Sequence, residues 1–205
     1  MKKIKTIILL VLALCVAILY CKTTLSDDEM VLKNNTVKTQ TTDINEIKID
    51  VKYTSLEVPN INSSFKTWMS YTAVTNKQSP QYKFIHKYGW VDSEGFMRCS
   101  GERDLGIEDD YYLIALGSYY GTDIGTKYKI TLDTGRVFYG ALADCKSDRH
   151  TNDTNQYVSH NNNIIEFLVD TAKLNKNVKQ MGTANVYMPL NGRVSKIEKI
   201  DFVIK

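Results

Sequence analysis

From Asp110 to the C-terminus the chain alternates between short apolar runs and turn residues. The runs are Tyr111–Leu116, Tyr128–Leu132, Val137–Leu142, Ile164–Val169, Ala184–Met188 and Lys196–Val203. Between them stand Gly117, Gly121, Gly125, Asp133-Thr134-Gly135, the 161–163 asparagine run and Asn191-Gly192. Short segments rich in Val, Ile and Tyr, punctuated in this way, predict strands closing into a small six-stranded barrel. The one helical expectation in this half is a turn or two over 170–177, with Asp170 as its N-cap.

Upstream the pattern changes twice. Ile47, Ile49, Val51 and Tyr53 alternate with Lys48, Asp50 and Lys52, the period of a half-buried strand. Trp68, Tyr71, Tyr82, Phe84, Tyr88 and Trp90 then make an aromatic-rich stretch, which is expected to fill core. Trp90 to Phe96 reads as a hairpin, with Gly95 free to take positive φ. Residues 46–110 are thus an N-terminal β extension to a barrel over 111–205. Before them, residues 22–45 hold no sustained apolar period and read as a polar tether.

The first residues place the chain in a compartment. Met1 to Lys5 carries Lys2, Lys3 and Lys5, and Thr6 to Tyr20 is almost wholly apolar. A helix from Ile4 to Tyr20 would span roughly 25 Å at about 1.5 Å per residue, somewhat short of a hydrocarbon core of about 30 Å. Residues 1–21 are therefore a membrane anchor, a cleaved signal or a lipoprotein signal ending at Cys21. Each alternative exports the remainder of the chain, because the lysines hold the N-terminus inside. The expected location is the cell membrane with the domain outside, or secretion.

Export bears on the cysteines. Cys99 and Cys145 are the two outside the apolar segment, and in an oxidising compartment they are expected to pair, free thiols being the alternative. A net charge of +3 over 205 residues, with no basic stripe, excludes nucleic acid as the implied partner. No cofactor is implied either.

The strand Val137–Leu142 runs into Asp144, Cys145, Lys146, Ser147 and Asp148, an acid, a thiol and a base in one place. An ordered set of short motifs surrounds it: Gly117-Ser118-Tyr119-Tyr120-Gly121, Ile124-Gly125-Thr126-Lys127, Asp133-Thr134-Gly135-Arg136, Ala143-Asp144 and Ile165-Glu166-Phe167-Leu168. In this order they resemble the double-psi β-barrel domain of rare lipoprotein A and of related three-Asp and expansin-type wall proteins. The resemblance covers 111–205 and implies cell-wall glycan as the substrate. It implies Asp144 as the catalytic acid and Glu166 as the acid of the late Ile-Asp-Leu segment. Two positions depart from the family: Cys-Lys-Ser follows Asp144 where relatives carry Arg-Gly-Pro or Thr-Gly-Gly, and Glu166 stands where they carry Asp.

The chemistry agrees with those roles. Breaking a glycosidic bond needs a carboxylic acid to protonate the leaving oxygen, and hydrolysis adds a second carboxylate. A lytic transglycosylase can use one carboxyl as acid and then as base, closing a 1,6-anhydro ring. Either route favours an acid whose pKa is raised by burial or a like charge. Tyr119, Tyr120, Asp148 and His150 are the candidate substrate-binding residues, on the turn and loop beside Asp144. Cys145 with His150 or His160 as nucleophile and base is a weaker constellation. Cys145, Asp148, His150 and Asp153 match no closed zinc spacing, so no metal is implied. The alternative function is a non-catalytic glycan-binding or envelope-assembly module.

Overall fold

A computed structural model describes residues 48–61 and 69–205. The apolar run Thr6–Tyr20, the tether and the aromatics Phe65 and Trp68 lie outside the described residues. Among those described, no helix is long and apolar enough to cross a membrane.

The protein is mainly β, and its strands form one mixed nine-stranded sheet. They are β1 (Ile49–Leu56), β2 (Met69–Thr72), β3 (Trp90–Val91), β4 (Met97–Cys99), β5 (Tyr111–Leu116), β6 (Lys127–Leu132), β7 (Val137–Cys145), β8 (Ile165–Leu168) and β9 (Val194–Ile204). The main order is β1-β9-β6-β7-β5-β4-β3, with β8 also on β5 and β2 on β8. Two pairings, β5 with β7 and β2 with β8, are parallel. Strands before Tyr111 are woven into the same sheet as those after it: β1 pairs with β9, β2 with β8 and β4 with β5.

The sheet does not close, where a six-stranded barrel was expected. The reason lies at β5. One edge of this strand takes β7 along its length, while the other is divided, its first half taking β4 and its second half β8. The sheet branches there and leaves β1, β2 and β3 as ends. β5 reads YYLIAL and is buried at every position, as a strand covered on both faces should be.

Two apolar layers sandwich the sheet. On one face Tyr112, Ile114, Leu116, Tyr128, Ile130, Phe138, Leu142 and Phe167 form the larger core. Phe96 and Tyr112 both meet Phe167 edge-on there. On the other face Tyr111, Leu113, Ala115, Ala141, Ala143 and Leu168 pack with Ile85. Ile85 belongs to helix α1 (Pro80–Tyr88), a helix inside the aromatic stretch where β structure was expected. Ser79 caps α1 by accepting from Tyr82 N–H at 3.1 Å, and Pro80 stands at its first turn, where its missing donor costs nothing. Tyr88 and Trp90 remain exposed, so the stretch is not uniformly core.

Other boundaries shift for local reasons. The Asp133-Thr134-Gly135 turn forms as expected, Gly135 at φ 81 linking β6 and β7. Gly95, at φ 86, likewise lets Asp92 close the turn between β3 and β4. Asp170 caps only a turn, accepting from Ala172 N–H. The helix after it, α2 (Lys176–Met181), starts from Asn175, whose side chain accepts from Asn177 and Val178 N–H. The expected strand Ala184–Met188 is instead two 3₁₀ turns, Ala184–Val186 and Met188–Leu190. Pro189 has no N–H for a ladder there.

The expected bridge between Cys99 and Cys145 is absent; both thiols are free. Cys99 pairs with Tyr111 at the start of β5, and Cys145 with Leu116 at its end, on the opposite edge. Five residues of strand separate those positions by about 16 Å, more than twice the Cα reach of a disulfide. The two also pack on opposite faces, Cys99 with the Tyr111 layer and Cys145 with the larger core. Cys99 accepts from Lys127 Nζ at 3.6 Å, and burial raises its pKa, which disfavours the reactive thiolate. Peptide mapping after alkylation in denaturant without reductant should therefore find both thiols modified. A disulfide-linked peptide pair would contradict this packing.

Candidate active site

β7 is the strand that delivers the acids' meeting point. Ile114 pairs with Leu142, but the next residue, Ala115, pairs with Asp144, leaving Ala143 as an extra residue on β7. Such a bulge reverses which face the following side chains take. Without it Asp144 would oppose Leu116 and enter the larger core, where an unpaired carboxylate is costly. With it, Cys145 opposes Leu116 and packs on the core face, and Asp144 turns to the face of Ala115.

Glu166 reaches that face from the other side. On β8 it pairs with Ala115 in the antiparallel ladder. The two carboxylates therefore flank one small residue, on strands whose backbones stand about 10 Å apart, two inter-strand spacings. Both line one cavity of about 540 Å³. Its remaining wall is the β7–β8 connection, from which Arg149, His150, Ser159 and His160 contribute. That connection holds itself in place: Thr151 bridges to Val158, Ser159 N–H donates to the His150 carbonyl at 3.0 Å, and Asn152 Oδ1 accepts from Gln156 and Tyr157 N–H.

Beneath the two acids lies a buried cation. Lys146, the residue after Cys145, is 8 % exposed. Its Nζ sits 3.6 Å from Glu166 Oε1 and donates to the carbonyl of Asn163 at 3.3 Å and to Asn163 Oδ1. Asn163 in turn donates to Glu166 Oε1 at 3.2 Å and to Asn161 Oδ1 at 2.8 Å. Glu166 is thus held by an ammonium and an amide, both anchored in the connection.

The environments of the acids differ. Burial raises the pKa of Asp144; the Cys145 N–H, donating to Oδ1 at 2.9 Å, opposes the rise, the Glu166 charge adds to it, and the Gln81 side chain from the start of α1 opposes it. Burial pulls Lys146 down from 10.5 to about 8, against the pull of Glu166. An acid pushed towards its neutral form beside an ion-paired carboxylate is an arrangement that separates a proton donor from an anion.

The candidate binding residues scatter more. His150 lines the cavity. Asp148 accepts from Ser118 Oγ at 2.7 Å, tying the Gly117–Gly121 turn to the connection. Tyr119 is exposed, with its ring edge-on to Tyr120, and is not among the cavity's lining residues. Tyr120 is buried, with its hydroxyl donating to the Glu57 carbonyl at 3.2 Å. That hydroxyl braces β1's exit and cannot serve a substrate. The Cys145 thiol donates towards the Thr122 carbonyl at 3.6 Å, and burial raises its pKa, both unsuited to a nucleophile. Among the described residues no group of three or more His, Cys, Asp or Glu is placed to hold a metal.

Asn163 and Gln81 join the site unannounced by the sequence, whereas His160 was expected only as a partner of the Cys145 thiol and Lys146 only as the base of the polar cluster. Ser79-Pro80 is a legible helix start that would have placed Gln81 on a helix. Nothing in the sequence marks Lys146 as buried. Compared with known protein families, with curated proteins and with solved structures, the chain matches none.

Lys146 makes a pH prediction. Its pKa is depressed in the folded state, so the unfolded chain binds the extra proton between about 8 and 10.5. Its contribution to stability therefore rises with pH across that window, by about 3 kcal/mol at most. Denaturant titrations from pH 7 to 10.5 should show this rise in the wild type relative to Lys146→Met. Parallel pH curves for the two proteins would mean that Lys146 is not buried as a cation.

Proposed function

We propose that this protein cleaves cell-wall glycan, peptidoglycan or a related polysaccharide, with Asp144 as general acid and then base. The observation that carries the reading is the convergence of Asp144 and Glu166 across Ala115 on one open cavity, Asp144 with its pKa raised. The resemblance of the ordered motifs over 111–205 to those of rare lipoprotein A and its wall-protein relatives supports the same substrate. The apolar N-terminal run would hold the protein at the outer face of the cell membrane, or export it.

In this reading neutral Asp144 gives its proton to the glycosidic oxygen as the bond to the anomeric carbon breaks. The positive charge that develops on the sugar ring is stabilised by the Glu166 carboxylate, which Lys146 and Asn163 hold in place. Asp144, now ionised, takes the proton from the sugar's own 6-hydroxyl as that oxygen closes on the anomeric carbon. The products are a new chain end and a 1,6-anhydro end, with no water consumed. Water in place of the hydroxyl, activated by Glu166, would give a reducing end.

A non-catalytic glycan-binding or assembly role would suit an Asp144 spent on backbone hydrogen bonds. Among the described residues its one backbone donor is the adjacent Cys145 N–H, which favours the catalytic role.

Incubation with purified peptidoglycan, followed by mass spectrometry, should release fragments lighter by one water than hydrolysis products. Asp144→Asn should abolish release. The raised pKa sets the sign for stability: above it the folded state carries an anion that it disfavours. The amide should therefore keep or raise the melting temperature at neutral pH, and make little difference in acid. Absence of wild-type turnover together with a loss of about 1–3 kcal/mol in Asp144→Asn would make Asp144 a structural brace instead.

A further inference from the structure

The cavity over the two acids does not stop at Glu166. A second cavity of about 330 Å³ adjoins it, and His160 lines both. Its floor includes Ser70, which pairs with Glu166 in the parallel ladder of β2 and β8. The pairings Asp144–Ala115, Ala115–Glu166 and Glu166–Ser70 therefore set four residues in one row across β7, β5, β8 and β2. Partners in register project to the same face, so the row spans about 14 Å along a line perpendicular to the strands.

We propose that the two cavities are one groove and that it takes a linear glycan lying across the strands. The bond to be broken lies over Asp144 and Glu166, and the next sugar units lie over Ser70. The inference rests on the glycan reading of the site and adds a chain-length requirement to it.

The lining of the second cavity sets the chemistry of its occupant. Ser70, Asn161, Asn162 and Met181 line it, and no Asp, Glu, Lys or Arg does. Neutral hydroxyls and amides suit sugar hydroxyls and acylamino groups, and the lining holds no Lys or Arg to pair with a phosphate or carboxylate chain. Met181 is 62 % exposed, an apolar surface of the kind that packs on a sugar face. Asn162, which also lines it, sits in left-handed backbone at φ 58. Thr183 is the exception: its hydroxyl donates to Met69 O at 3.1 Å and accepts from Asn185 N–H, which fixes the wall.

The test uses the full chain in detergent, with Asp144→Asn to prevent turnover, and neutral β-1,4-linked N-acetylglucosamine oligomers from disaccharide to hexasaccharide as probes. Calorimetric affinity should rise by about tenfold or more between the shortest and longest oligomer. Met181→Ala, alone and with Ser70→Ala, should remove most of that gain and leave disaccharide binding unchanged; the single variant, at an exposed position, guards against misfolding. Affinity that does not grow with length, or a gain that survives both substitutions, overturns the groove. If wild type still cleaves peptidoglycan in that case, the groove alone falls. If it neither binds an oligomer nor cleaves peptidoglycan, the glycan reading falls with it.

Discussion

Strand β5 is shared by three neighbours, and the shape of the whole sheet depends on how that sharing is arranged. A strand buried on both faces must satisfy every backbone group through its ladders. β5 does so with β7 along one edge and with β4 then β8 along the other. The division prevents closure of the sheet. It also brings β8, from late in the chain, to the same residue of β5 that the bulge on β7 selects. Ala115, buried in the second apolar layer, stands between the two acids in the ladder. The position of the cavity is thus a consequence of pairing before it is a matter of side-chain chemistry.

The electrostatics depend on that geometry. Two carboxylates over one apolar residue, with water partly excluded, cannot both carry charge cheaply. Lys146 and Asn163 resolve the conflict in one direction, by hydrogen-bonding and pairing with Glu166 and leaving Asp144 to half-burial. The cation is itself expensive, since its pKa falls to about 8. The pair it forms with Glu166 is therefore weak evidence for stability.

Much of this is legible in the chain. β5 announces itself as an unbroken apolar run, and Asp133-Thr134-Gly135 marks the β6–β7 turn. Motif order names Asp144 and Glu166, and they do meet. What hides is everything set by register. The extra residue Ala143 leaves no signature among Gly140, Ala141, Leu142 and Ala143, where any pairing would pack. Tyr82, Phe84 and Tyr88 look like strand residues, yet Ser79-Pro80 starts a helix and the apolar face of that helix reduces to Ile85 and part of Phe84. Compartment and count pair the two cysteines, but those rules carry no distance. The polar cluster names Lys146 as a base beside the acid, but nothing in the sequence shows that it is buried under the β7–β8 connection.

The central claim is that Asp144 and Glu166 are coupled across Ala115. It is tested most directly by following the Asp144 carboxyl carbon by ¹³C NMR across pH, in the wild type and in Glu166→Gln. The account predicts a wild-type midpoint above the ordinary aspartate value of 3.8, and a lower midpoint once the like charge is removed. A wild-type midpoint at or below 3.8, or one that Glu166→Gln does not move, would contradict it.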